Sequence, residues 1–127
     1  MHSAAAPLII EPDGKPGPSV AFWLETALKR VFPSSPAGSQ TNLHLLAARN
    51  SRISFQACLR NQRVNPLNIE CYIAGADDLK PQVRKVGYVP MPHFTPGTDS
   101  AELDGKGYLP GLVPDPCFPT SKADVAP

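Results

Sequence analysis

Three cysteines, Cys58, Cys71 and Cys117, and three histidines, His2, His44 and His93, are the side chains best suited to hold a soft metal or to act as nucleophile and base. Their separations match no zinc spacing, and no His-Glu-x-x-His pattern is present, so a metal centre has little support. Three cysteines cannot all pair within one chain. A Cys58–Cys71 bridge needs two neighbouring strands to bring the thiols together; the alternative is the ordinary fate of small packed thiols. As a nucleophile Cys58 would need exposure and a basic neighbour, whereas its place in an alternating strand predicts a packed site.

The acidic loop Asp99-Ser100-Ala101-Glu102-Leu103-Asp104-Gly105 invites a calcium reading, but Ala101 and Leu103 fall where alternate oxygen ligands are needed, so a solvated loop is expected. Glycosidase chemistry needs two carboxyl groups either side of a scissile bond. Asp77, Asp78, Glu102, Asp104 and Asp115 could supply many pairs, and residue type selects none of them. Gly14-Lys15-Pro16-Gly17 and Gly105-Lys106-Gly107 lack the strand-loop-helix setting of a phosphate loop and read as turns. Tyr72 points away from the Leu67, Ile69, Cys71 and Ile73 face, as a platform for a sugar ring or one half of a cross-strand pair. Trp23, beside Phe22 and Leu24, could stack on a ligand but is more at home in a core. Arg49 is expected to brace a turn, and Gln56 to sit on an outer strand face bonded to backbone or water.

These side chains depend on short elements. Residues 7–18 contain Pro12, Gly14, Pro16, Gly17 and Pro18, which read as a leader or extended arm. From Val20 to Phe32 the apolar residues Val20, Trp23, Leu24, Ala27, Leu28 and Val31 fall at helical spacing, with Ser19 as N-cap, which alone gives a helix of about three turns. After the breaker-rich loop 33–39 the period changes to two. Leu43, Leu45 and Ala47 form one face of an expected strand, and Ile53, Phe55, Ala57 and Leu59 alternate with Ser54, Gln56, Cys58 and Arg60 in the clearest one. Arg49-Asn50-Ser51-Arg52 is a tight polar connection between them. A third strand is expected over Leu67–Ile73, stopped by Gly75-Ala76-Asp77-Asp78, and a fourth over Val83–Val89, stopped by Pro90 and Pro92 at a sheet edge. Beyond Met91 the glycines and prolines leave no apolar periodicity, and the chain reads as a long irregular tail lacking partner strands.

The 127 residues suit one domain, and 42% apolar content permits a core, while 16 prolines favour short elements over long helices. The expected class is all-β, a β-sandwich of immunoglobulin-like or jelly-roll-like type, either whole or incomplete. Residues 1–18 would be the leader, 19–119 the sandwich and 120–127 a tail or linker. Twelve basic against eleven acidic residues leave a net charge of +1, no field to draw nucleic acid or anionic lipid, and no apolar stretch approaches a membrane span. The first ten residues lack a basic n-region and a long h-region and do not read as a secretory signal. Nothing in the composition calls for a cofactor.

Several short segments occur in a fixed order: Trp23 and Val31-Phe32-Pro33, Ala48-Arg49-Asn50, Ser54-Phe55-Gln56, Val86-Gly87-Tyr88-Val89-Pro90, and Pro114-Asp115-Pro116. In that order they resemble the amino-terminal β-sandwich that precedes the catalytic barrel in family 123 glycoside hydrolases and their relatives. The fullest match, residues 48–60, looks like that family's Ala-Arg-Gly/Asn-Glu-x-x-Ser-Phe-Gln strand motif, with Ser51 where relatives usually carry an acid. The resemblance spans about Trp23 to Pro119. It implies extended structure where the periodicity alone gives the helix over 20–32, and mildly favours an extracytoplasmic setting. It also implies a non-catalytic sandwich before a (β/α)8-like barrel acting on N-acetylgalactosamine-type glycosides by substrate-assisted chemistry. None of the family's catalytic positions has a counterpart in this chain.

Two functions are therefore expected. In the first the chain is an accessory sandwich domain, or a fragment of one, that supports or docks a (β/α)8 catalytic domain and exposes an apolar surface, with self-association through open sheet edges. In the second it is a freestanding carbohydrate- or protein-binding module with a closed fold. Candidate glycan or interface contacts are Trp23, Arg49, Gln56, Tyr72 and Tyr88.

Overall fold

The computed structural model describes residues 20–93, 96, 97, 99, 101 and 107–127. The leader 1–18, Ser19, the turn at Gly14–Gly17, and most of the acidic loop 99–105 with Lys106 lie outside the described residues. Among the described residues there is no α-helix. Six strands, β1 (Val20–Thr26), β2 (Phe55–Asn61), β3 (Leu67–Glu70), β4 (Lys85–Met91), β5 (Gly111–Phe118) and β6 (Lys122–Val125), are joined by loops and one 3-10 turn at Asp77–Leu79. The fold is all-β, of the sandwich type and incomplete. Its strands pair antiparallel as three two-stranded ribbons, β1–β2, β3–β6 and β4–β5, where a four-stranded sheet was expected.

The first correction falls on residues 20–32, where the helical spacing predicts a helix and the chain instead enters a strand. Val20, Phe22 and Trp23 suit a pleated surface, and β1 finds a full-length partner, with Trp23 opposite Cys58 and Leu24 opposite Ala57. The spacing of four survives only as an ion pair: Lys29 Nζ lies 2.5 Å from Glu25 Oε1 across the bend that ends β1. The strand expected over Leu43–Ala47 is also absent. These residues are irregular and Leu46 is fully exposed, so alternation existed there without a partner ladder. The turn after it does form: the Ser51 amide and hydroxyl both donate to the Ala48 carbonyl, at 3.1 and 2.7 Å, and Asn50 takes a positive φ of 61°. The hydroxyl of Ser51 closes this turn at the position where the resembled family carries an acid.

β2 begins two residues later than the alternation suggests, and the face it buries is the opposite one. Phe55 and Ala57 are exposed and Leu59 half-buried, whereas Cys58 is buried between half-buried Gln56 and Arg60. The reason is what covers the ribbon. Residues 27–40 fold back over the Trp23–Cys58 side, Gly38 lying against the indole and the Leu24 amide donating to the Gln40 carbonyl at 2.7 Å. A Cβ on Gly38 would come within 2.5 Å of Trp23 Cδ1, which is why the close approach uses glycine.

β3 is shorter than expected and ends at Glu70, and β4 runs to Met91, through Pro90. The largest difference is the carboxy-terminal third. Gly111–Phe118 pairs with β4, and Lys122–Val125, expected to be tail, pairs with β3, Leu67 standing opposite Val125. Prolines hid these strands, yet a two-stranded ribbon tolerates them because every strand in it is an edge. Pro114 faces Tyr88 and Pro90 faces Leu112, adjacent to a bulge between Val86 and Tyr88.

Among the described residues the core is small: Trp23, Phe32, Cys58, Leu67, Ala76 and Val113, with no large side chain there wholly removed from solvent. Phe32 stacks parallel on Tyr108, ring centroids 4.5 Å apart, which ties the segment after β1 to the approach to β5.

Candidate functional site

The polar residues of β2 act on backbone. Gln56 Nε2 donates to the carbonyls of Thr26 at 2.8 Å and Lys29 at 2.5 Å. Arg60, four residues on and therefore on the same face, donates through Nη2 to the carbonyl of Pro33 at 3.1 Å and to that of Ser35. The carbonyl and amide of Phe32 are bonded to the amide and hydroxyl of Ser35, at 3.0 and 2.9 Å, closing a turn with Pro33 at its second position. Two side chains of one strand thus hold a loop that would otherwise leave carbonyls unpaired over the core. That loop covers Trp23, which at 3% exposure has no face for a ligand.

Tyr88 of β4 is 44% exposed, and partial burial raises its phenol pKa, with Cys58 adding to the rise and Arg60 opposing it. The Cys58 thiol is pushed up to about 11 by burial first and by the Glu25 carboxylate second, with Lys29 acting in the opposite direction. A thiol so placed stays protonated and is a poor nucleophile. All three cysteines are free, so the Cys58–Cys71 bridge is not formed, and burial also raises the Cys71 thiol.

Of the five candidate residues, Trp23 and Gln56 lie on one side of the ribbon, where they build structure, while Tyr88 pairs with Pro114 in β4–β5 and is exposed. Arg49 is exposed in the turn after Ala48. Tyr72 stands apart at 52% exposure on the rim of an open depression of about 420 Å³, whose lining includes Glu70, Ile73, Pro81, Val83 and Ser121. At its floor the Cys71 amide donates to the Ser121 carbonyl at 2.9 Å, and Glu70 lies 3.5 Å from the Ser121 hydroxyl and 3.9 Å from Lys122 Nζ.

No local pattern pointed to Asn61, the one buried polar side chain among the described residues. Its Nδ2 donates to the carbonyls of Asn65 at 2.8 Å and Val125 at 3.2 Å, and its Oδ1 accepts from the Arg63 amide at 2.9 Å. Asn61 joins the end of β2 to the end of β6, a contact separated by 64 residues that no local pattern could reveal. Among the described residues no three His, Cys, Asp or Glu side chains come together to hold a metal ion, and no helix is long and apolar enough to cross a membrane.

The fold and this arrangement define an incomplete all-β module of the sandwich type whose interior polar contacts are structural. No protein-family model matches the chain, and no curated protein matches it.

Proposed function

We propose that this chain is a non-catalytic accessory β-sandwich domain, or part of one, that docks against a glycoside hydrolase barrel acting on N-acetylgalactosamine-type glycans. The observation that supports docking is the inverted β1–β2 ribbon. Its polar residues clamp the covering loop, while its apolar side is half-buried at Phe22, Leu24 and Leu59 and opens to solvent at one end, with Phe55 40% and nearby Ile53 46% exposed. An apolar sheet face needs a second layer, and at ~25 cal/mol per Å² covering even 400 Å² would contribute roughly 10 kcal/mol, comparable with the stability of a whole domain. The identity of the partner as a hydrolase barrel rests on the ordered segments around Arg49-Asn50, Ser54-Phe55-Gln56 and Pro114-Asp115-Pro116.

The test combines two measurements on the purified chain at low micromolar concentration. Native-state binding of anilinonaphthalene sulfonate should be strong, and an aryl N-acetyl-β-galactosaminide should not be turned over. A folded chain that leaves the dye dark would remove the docking face, and turnover lost with the chain's own carboxylates would make it an enzyme.

A second reading, a carbohydrate-binding module, is favoured by the depression beside Tyr72. A half-exposed ring with a carboxylate and a hydroxyl alongside suits stacking on a sugar with hydrogen bonds to its hydroxyls. Titration with N-acetylgalactosamine, followed by NMR in the native chain and in Tyr72→Ala, separates the two. Shifts confined to the surroundings of Tyr72 and lost in the variant would support this module, and an unchanged spectrum would dismiss it.

A further inference from the structure

β4 is at a sheet edge, as expected for Val83–Val89, but so is every strand of a two-stranded ribbon, and hydrogen-bond phase shows which edge is the best template. In an antiparallel pair, residues opposite each other either exchange both backbone bonds or point both groups outward. The Leu24 amide is bonded to Gln40, away from β2, so the Leu24–Ala57 pair is of the outward kind. By alternation the backbone groups of Phe55, Ala57 and Leu59 all point to the outer edge of β2. Among the described residues no backbone partner meets them there, and Phe55 and Ala57 are exposed.

The other edges are closed or poor templates. On β1 the Gln40 carbonyl occupies the outer edge at Leu24. In β4–β5, Pro90 and Pro114 have no amide to give and so occupy outward-pointing positions, opposite Leu112 and Tyr88, which removes a donor from each outer edge. β3 and β6 are four residues each. Among the described residues, β2 alone offers seven residues with neither a proline nor a backbone partner on its outer edge.

We infer that the outer edge of β2 pairs antiparallel with the same edge of a second copy, about a two-fold axis at Cys58. That register sets Ala57 opposite Leu59 of the partner subunit, both outward-pointing, so the ladder bonds are made. It sets Arg60 opposite Gln56 of the partner subunit, so no like charges meet, the ladder stops short of buried Asn61, and a net charge of +1 gives the copies little mutual repulsion. An isologous pairing of this kind closes on itself and consumes both edges. It widens the apolar face without covering it, so it is independent of the docking reading, which concerns the face and not the edge.

Sedimentation velocity on residues 1–127 from about 5 to 200 µM tests this, alongside Ala57→Pro. The substitution deletes an outward amide and leaves the β1 ladder its bonds. A dimer in the native chain is expected, and in Ala57→Pro a monomer whose melting temperature equals that of the native chain at dilutions where it too is monomeric. Should that variant fail to fold, hydrogen exchange in the native chain decides: the Ala57 and Leu59 amides should gain at least tenfold protection as concentration rises. A monomer throughout, an Ala57→Pro dimer equal to the native one, open-ended oligomers, or Ala57 and Leu59 amides whose protection ignores concentration would each overturn the proposal.

Discussion

Trp23 and Cys58 stand opposite each other across the β1–β2 ladder, 3% and 9% exposed, under a loop that meets the indole at Gly38. An indole, a thiol and a glycine thus share the best-packed point of the chain. Everything held there depends on a close approach between residue 38 and a rigid ring.

Gly38→Ala should therefore destabilise the protein. A methyl group 2.5 Å from Trp23 Cδ1 must displace a buried ring or the loop, and overpacking of this kind costs about 1–3 kcal/mol. Urea unfolding followed by Trp23 fluorescence should give a lower midpoint with an unchanged slope. An unaltered midpoint would mean that the loop does not rest on the indole.

The clamp residues should behave independently. Gln56→Ala loses bonds to Thr26 and Lys29, and Arg60→Ala loses bonds to Pro33 and Ser35, each costing about 1 kcal/mol because water can replace part of each bond. They share no acceptor, so the double variant should equal the sum of the singles within about 0.5 kcal/mol. Strong coupling in chemical denaturation would show that the loop is gripped as one unit.

For Cys58 the folded thiol titrates near 11 against an ordinary 9.0, because burial disfavours the thiolate. Above pH 9 the unfolded chain loses this proton and the folded chain keeps it. Stability contributed by the neutral thiol is complete below pH 9 and should fall between about 9 and 11. Cys58→Ala should flatten that part of a pH series of thermal melts. In iodoacetamide labelling at pH 8, exposed Cys117 should react first and buried Cys58 last; early modification of Cys58 would contradict the packing.

Asn61→Ala removes a buried amide that serves Asn65, Arg63 and Val125, and should cost about 1–3 kcal/mol. Its particular signature is at a distance: amide exchange in β6 should quicken more than in β4–β5. Equal acceleration in all three ribbons would assign Asn61 a general role and not a link between two of them.

Several features were legible in the sequence for local reasons. Alternation at 55–60 and 67–70, the turn at 48–51 and the proline content are properties of neighbouring residues, and they led to short strands, an all-β class and a Gln56 bonded to backbone, though on the covered face and not the outer one. Where local signals competed, the partner strand decided: the helical spacing of 20–32 lost to a ladder with β2, and the alternation at 43–47, with no ladder, stayed irregular. β5 and β6 were hidden because proline is read as a breaker, although it breaks a ladder only when its missing amide faces inward.

The sequence by itself determined that the chain alternates and turns, since those follow from residue type and spacing. Only the tertiary structure decided which face of β2 is inside. Period two makes both faces equally regular, and the inner one is whichever a distant segment covers. Here residues 27–40 cover Cys58, Gln56 and Arg60, because the loop's carbonyls need donors and Trp23 needs burial, and Phe55 and Ala57 are left facing solvent.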